Sequence, residues 1–130
     1  MRTSSSTLVH PTNHGHDPLG LLHTVPPFAR LAPGALAQLG PHLDQLHVPA
    51  GTALARAGES AHQVVVVLSG RVAVSSNDRR VDVVGPGTVV GAIPVVARAP
   101  HLHDYVTETD AEVLVLNGPA YRWVAPLLVA

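Results

Sequence analysis

Apolar positions change their rhythm along this chain. Between residues 19 and 31, Leu19, Leu21, Leu22, Val25, Phe28 and Leu31 are interrupted by Pro26 and Pro27, with Pro33 just beyond. Proline is tolerated only in the first turn of a helix, so this stretch predicts short helical turns rather than one long helix. A second short helix opens at Pro33 and sets Leu36, Leu39 and Leu43 on one face, at spacings of three and four. From Leu46 the pattern becomes short strands separated by turn residues: Gly51, Gly58, Gly70, Asn77-Asp78, Gly85-Pro86-Gly87 and Gly91. Strands at such intervals predict an all-β sandwich or roll.

Val64 to Leu68 is a continuous apolar run, the signature of a strand buried on both faces. Arg71 to Ser75 and Arg80 to Val83 alternate polar with apolar, as strands with one wet face do. Glu112 to Leu116 reads as the last strand. Asn117-Gly118-Pro119 follows as a cap with proline in the first turn of a closing helix, which Pro126 interrupts. No internal repeat of solenoid length is present.

A chain of 130 residues fits one domain, long enough to bury a core unaided. The expected division is a flexible tail over 1–17, rich in Ser, Thr, His and Pro, and a folded unit over 18–130. The tail lacks the apolar core of a secretion signal, and no apolar run approaches the roughly 18 residues needed to cross a bilayer. Cytoplasmic location without a membrane partner is the default expectation. Cysteine is absent, which removes disulfides, thiolate metal sites and a Cys nucleophile. The formal charge is −1, and all eight basic residues are Arg, scattered from Arg2 to Arg122 with only Arg79 and Arg80 adjacent. Nucleic-acid binders concentrate positive charge on one face, so no nucleic-acid partner is expected.

The order and spacing of several short pieces resemble one family. They are Leu22 and Val25 with Pro27-Phe28, then Pro49-Ala50-Gly51-Thr52, Ala57-Gly58-Glu59 and Leu68-Ser69-Gly70-Arg71-Val72. Gly85-Pro86-Gly87, Val90-Gly91 and the ending Ala111 to Leu116 complete the series. Together, over about residues 19 to 124, they are similar to the cyclic nucleotide-binding domain of bacterial cAMP-receptor regulators, cyclic-nucleotide-dependent kinases and gated channels. The resemblance implies a mainly β fold: an eight-stranded β-roll or jelly roll (a double-stranded β-helix) with short N-terminal helices and a short C-terminal helix. The bland reading of Gly51, Gly58, Gly70 and Gly87 is structural, as corner residues, and Glu59 beside Gly58 is a corner residue too.

In the family, the segment after the position of Gly91 is a phosphate-binding cassette. The resemblance implies a Glu directly after that Gly for the ribose hydroxyl and an Arg ten residues after it for the phosphate. Here those positions hold Ala92 and His101. Alanine offers no acceptor, and His is shorter than Arg, lacks its fork of donors and is mostly neutral at pH 7. At roughly 1.5 to 3 kcal/mol for each charge-assisted hydrogen bond, losing both removes about 3 to 6 kcal/mol, or about two to four decades of affinity. Two substitutes present themselves: Arg98, three residues early, and His101 itself when protonated at mildly acidic pH.

Nine histidines invite a metal reading. His14-Gly15-His16 reads as a polar tail segment. His101 and His103, two apart on an expected strand, would point to one face with Asp104 or Glu108 nearby. The order His101, His103, Glu108 is also similar to the metal motif of cupins, a family of small β-barrels that includes oxygenases and isomerases. The match is partial: Val95 stands where that motif has Gly, and no later His completes it. No Gly-x-Ser-x-Gly elbow, His-Glu-x-x-His or P-loop occurs. Asp104, Glu108, Asp110 and Glu112 suit the wet face of strands and the turn between them.

The leading expectation is therefore a non-enzymatic ligand-binding or regulatory module without a cofactor, with cAMP or cGMP binding weak or lost. Its ligand site would comprise Val90, Gly91, Ala92, Ile93, His101, Leu102 and His103, with no catalytic or metal-binding residue. With Ala for Glu and His for Arg, that mouth suits an apolar or neutral small molecule, or a side chain of a protein partner, better than an anion. Alternatives are a weak cyclic-nucleotide sensor using backbone amides and a cupin-like metal-dependent enzyme using His101, His103 and Glu108. No DNA-binding domain is expected after the closing helix. Tyr121 and Trp123 on that helix would pack onto the roll or form a homodimer contact.

Overall fold

The computed structural model describes residues 17–129 and, before them, the strand His10–Pro11. The rest of the expected tail, including His14-Gly15-His16, lies outside the described residues. Strands β1 (His10–Pro11), β2 (Leu43–Val48), β9 (Ala111–Asn117), β4 (Gln63–Ser69) and β7 (Val89–Val90) form one antiparallel sheet in that order. Strands β3 (Ala53–Ala55), β8 (Asp104–Thr107), β5 (Val72–Ser76) and β6 (Arg79–Val84) form the second. β2 to β9 are the eight strands of the roll, and β1 is a two-residue addition at its edge, pairing His10 with His47. Four short helices accompany them: α1 (Pro18–Leu22), α2 (Pro33–Gln38), α3 (Ala92–Ala97) and α4 (Gly118–Leu128).

The continuous apolar run is explained by position. β4 lies between β9 and β7, and its side chains alternate between two separate cores. Val64 and Val66 point with Leu114 and Leu116 of β9 to an outer core shared with Leu22, Phe28, Leu39, Val95, Val124 and other helical residues. Val65 faces the inside of the roll with Val48, Ala55, Val90, Ala111 and Val113. Each residue from Val64 to Val67 therefore loses water on whichever face it presents, which removes the usual alternation.

Several local expectations are met. Asn117 caps α4, its Oδ1 accepting from the Ala120 amide at 2.8 Å, with Pro119 in the first turn. Asn77 and Asp78 take φ of 53° and 63° in the β5–β6 turn, the left-handed pair that a tight hairpin requires. Others need correction. α2 ends at Gln38, so Leu39 reaches the core from the junction between α2 and a 3-10 turn (Gly40–His42), Leu43 does so from the first residue of β2, and the strands of the roll begin at Leu43 rather than Leu46. Helical spacing and this turn deliver the same side chains to the same core. β6 is exposed on both faces, with Val81 53% and Val83 40% accessible. It is an edge strand, and a register shift between Val74 and Ser75 leaves Val81 without a partner. α4 continues through Pro126 to Leu128, because a proline near the last turn costs one hydrogen bond while Val124 and Leu128 remain anchored in the core.

The acidic residues expected on wet faces also serve as fasteners, and Asp110 remains exposed. Asp104 accepts from the Ala57 amide at 2.8 Å, Asp110 from the Ala50 amide at 3.1 Å, and Glu112 lies 3.0 Å from His47 Nδ1. Glu108 pairs with Arg80 and, at 3.7 Å, with Arg71.

Gly70 shows how tightly one corner is closed. Its φ is 98°, and a Cβ there would stand 2.6 Å from the Asp110 carbonyl oxygen and 2.8 Å from Ala111 Cβ. At Gly87, with φ of 92°, a Cβ would meet nothing within 4 Å. Gly87→Ala should therefore cost about 1 kcal/mol, from backbone strain alone. Gly70→Ala should cost about 3 kcal/mol, strain and overpacking together. Urea unfolding of the two variants measures the difference, and equal costs would contradict this account of the corner.

Candidate functional site

β7 delivers the chain to Gly91, which turns it into α3 with φ of 92° and ψ of 3°. Glycine is needed here for space as well as for φ: a Cβ would sit 3.0 Å from the Gln63 carbonyl oxygen and 3.3 Å from His101 Cε1. After six residues Arg98 closes α3 in the left-handed region, φ 56° and ψ 42°, and the Ala99 amide bonds back to the Pro94 carbonyl at 2.9 Å. The returning strand of chain is then clamped to the Gly58–Glu59 turn. The His101 amide donates to the Glu59 carbonyl at 2.9 Å, and the Gly58 amide donates to the His101 carbonyl at 2.8 Å.

This brings the His101 ring against Gly91, half-buried. Burial holds its pKa below the ordinary histidine value; the nearby Glu59 opposes that shift and His62 adds to it. The imidazole at this position is thus held toward its neutral form, opposite to what a fixed phosphate partner requires.

A cleft of about 290 Å³ lies between α3 and residues 99–105. It gathers five of the seven residues expected for the site: Gly91, Ile93, His101, Leu102 and His103. Val90 is 2% accessible and belongs to the inner core of the roll beneath the cleft. Ala92 lines a different cavity, a groove of about 560 Å³ between α3 and α4. The helical turn that starts at Ala92 sends successive side chains in different directions, which residue order alone does not reveal. Ile93 and Ala97 line both cavities, so α3 is their common wall.

Sequence reasoning overlooked Tyr105. Its ring stands edge-on to His103, centroids 6.5 Å apart at 83°, and it completes the cleft from β8. Its spacing of two from His103 was an available signal. His101 and His103 themselves lie in the loop before β8, not on a strand. The cleft-lining residues carry no carboxylate, Lys or Arg. Arg98 is exposed at the end of α3 and does not line the cleft.

The metal arrangement is not formed. Glu108 lies just beyond the far end of β8, engaged with Arg80 and Arg71, while His101 and His103 precede its near end. Among the described residues no group of three His, Asp or Glu side chains could hold a metal ion. Also among them, no helix is long and apolar enough to cross a membrane.

Comparison with known proteins agrees with this architecture. The family model described as "Cyclic nucleotide-binding domain" matches residues 45–125. A cyclic nucleotide-gated potassium channel of Rhizobium etli is 30% identical over 102 residues, 78% of this chain, and the match spans 28% of the channel. In structure, the chain is similar to the regulatory subunit of a cAMP-independent protein kinase A from Trypanosoma brucei, with a TM-score of 0.77 and 22% identity. That match covers 85% of this chain and 41% of the other. It is similar, too, to a cyclic nucleotide-binding-like protein from Brucella abortus, TM-score 0.69 and 25% identity, over 85% of this chain and 99% of that one.

The lowered pKa of His101 fixes the sign of a pH effect. A proton binds the unfolded chain more readily than the folded one, so the share of stability due to neutral His101 is present above about pH 6.5 and is lost as the pH falls through the folded value. In a proton NMR titration the His101 ring should show a midpoint below 6.5. The loss of stability between pH 7.5 and pH 5 should be smaller in His101→Gln. A midpoint above 6.5 would contradict the burial argument.

Proposed function

The chain belongs to the cyclic nucleotide-binding domain family, and from that premise we propose that it is a non-enzymatic regulatory module whose cleft has given up the family's charged contacts to cAMP and cGMP. The observation that carries this reading is the pairing of Gly91 with a half-buried imidazole held toward neutrality, in a cleft lined without carboxylate or guanidinium. The cassette is kept as a backbone shape: a turn at Gly91, a six-residue helix, and a return clamped onto residues 58 and 59. What has changed is its chemistry, at Ala92 and His101.

A cyclic phosphate entering this cleft would shed water without gaining a fixed positive charge, an uncompensated desolvation. A neutral ligand meets apolar walls at Ile93, Leu102 and Pro94, with the rings of His103 and Tyr105 for orientation. The Trypanosoma brucei relative of the same fold is itself described as cAMP-independent, so a family member need not answer to that nucleotide. Regulation here would follow from occupancy of the cleft or from a partner placing a side chain in it.

Calorimetric titration tests the proposal. With cAMP or cGMP at pH 7.5 the protein should show a dissociation constant weaker than about 100 μM, given the roughly two to four decades attributed to the missing contacts. His101→Arg should tighten cAMP binding at least tenfold. Micromolar binding by the unaltered protein would sink the proposal and favour recognition through backbone amides alone.

A further inference from the structure

The groove between α3 and α4 lies on the other side of α3 from the cleft, with Ile93 and Ala97 lining both. Its volume of about 560 Å³ lies within the range of small-molecule sites. Its walls are formed by Ile93, Val96, Ala125, Leu128 and Val129, with Pro27 contributed from the N-terminal turns. Three of these expose much of their surface: Ile93 81%, Val96 50% and Val129 83%. Isolated apolar residues on a surface need no explanation, but a lined concavity of them does.

One charged side chain enters this apolar lining, Arg122 of α4. Its Nη1 donates to the Val95 carbonyl oxygen at 3.3 Å, which ties the guanidinium to α3. That is its one hydrogen bond among the described residues, and a guanidinium has five N–H donors. Among the described residues the groove offers no carboxylate to balance it, and Tyr121, whose burial pushes its phenol up, stays neutral beside it.

We propose that this groove binds a free single-chain amphiphile with an anionic head, a fatty carboxylate, its chain along the apolar walls and its head on Arg122. Charge selects this occupant. A wholly apolar ligand would cover the guanidinium and leave it unpaired, and a cationic amphiphile would oppose it. A second copy of the chain seated symmetrically on the groove would bring two Arg122 side chains together with no lining carboxylate between them. A carboxylate head accepts from the guanidinium in a two-pronged arrangement and needs no other polar partner.

The test is titration of the full chain with dodecanoate, below its micelle-forming concentration, followed by calorimetry. Saturable one-to-one binding is expected, with dodecyltrimethylammonium giving none. Arg122→Gln should weaken dodecanoate at least tenfold and Arg122→Lys by less, since it keeps the charge. Val96→Asp, at an exposed position, should abolish binding with the circular dichroism spectrum unchanged, which guards against a variant that fails to fold. Non-saturable binding, equal affinity for the cationic amphiphile, or an unchanged constant in Arg122→Gln overturns the proposal. So does a dimer that Val96→Asp dissociates, seen by sedimentation without dodecanoate heat, which would assign the groove to a second copy. None of these outcomes bears on the cyclic-nucleotide titration, which reads the cleft on the other side of α3.

Discussion

Everything in this structure is hung on the pairing of β4 with β9. Val64 lies opposite Leu116 and Val66 opposite Leu114, and their side chains face the helices, while Val65 and Val113 face the inside of the roll. Two strands buried on both faces cannot slip by one residue without exchanging the contents of both cores, so their register fixes the rest. β7 pairs to β4 at Val65 and Val66 and ends at Gly91, so the position of α3 follows from that ladder. β9 runs directly into α4, whose first amide is bonded at 2.8 Å to the carbonyl of His62, just ahead of β4. α3 and α4 are thus both extensions of one strand pair.

The sequence made that frame legible because its signals are local and strong. Four consecutive valines buried to 2% or less leave little room for a half-wet strand. Asn117 before Gly118-Pro119 is a cap with a mechanism, and the turn at Asn77-Asp78 follows from the ease with which those residues take positive φ. What was misread depended on competition between elements. Leu36, Leu39 and Leu43 have helical spacing, yet Leu43 belongs to β2, because pairing with Leu116 satisfies its backbone. Val81 and Val83 alternate as a half-buried strand should, but no second layer covers β6. Pro126 stops a helix by local rule, and the burial of Leu128 carries α4 past it.

The candidate site was legible as a segment and not as a surface. Gly91, Ile93, His101, Leu102 and His103 do converge, because the return from α3 is clamped to the Gly58–Glu59 turn. Ala92 faces the other cavity and Val90 lies inside the roll, since neighbours on a helical turn or a strand diverge. The three-residue metal set failed for an electrostatic reason that spacing does not encode. Glu108 lies within reach of Arg71 and Arg80 on the neighbouring hairpin, which satisfies its charge far from the histidines.

α3 separates the cleft from the groove with six residues, and Ile93 and Ala97 present surface to each. The partition is held to α4 by the bond from Arg122 to the Val95 carbonyl, midway along it. A change of side chain at Ile93 or Ala97 therefore alters the lining of both chambers at once.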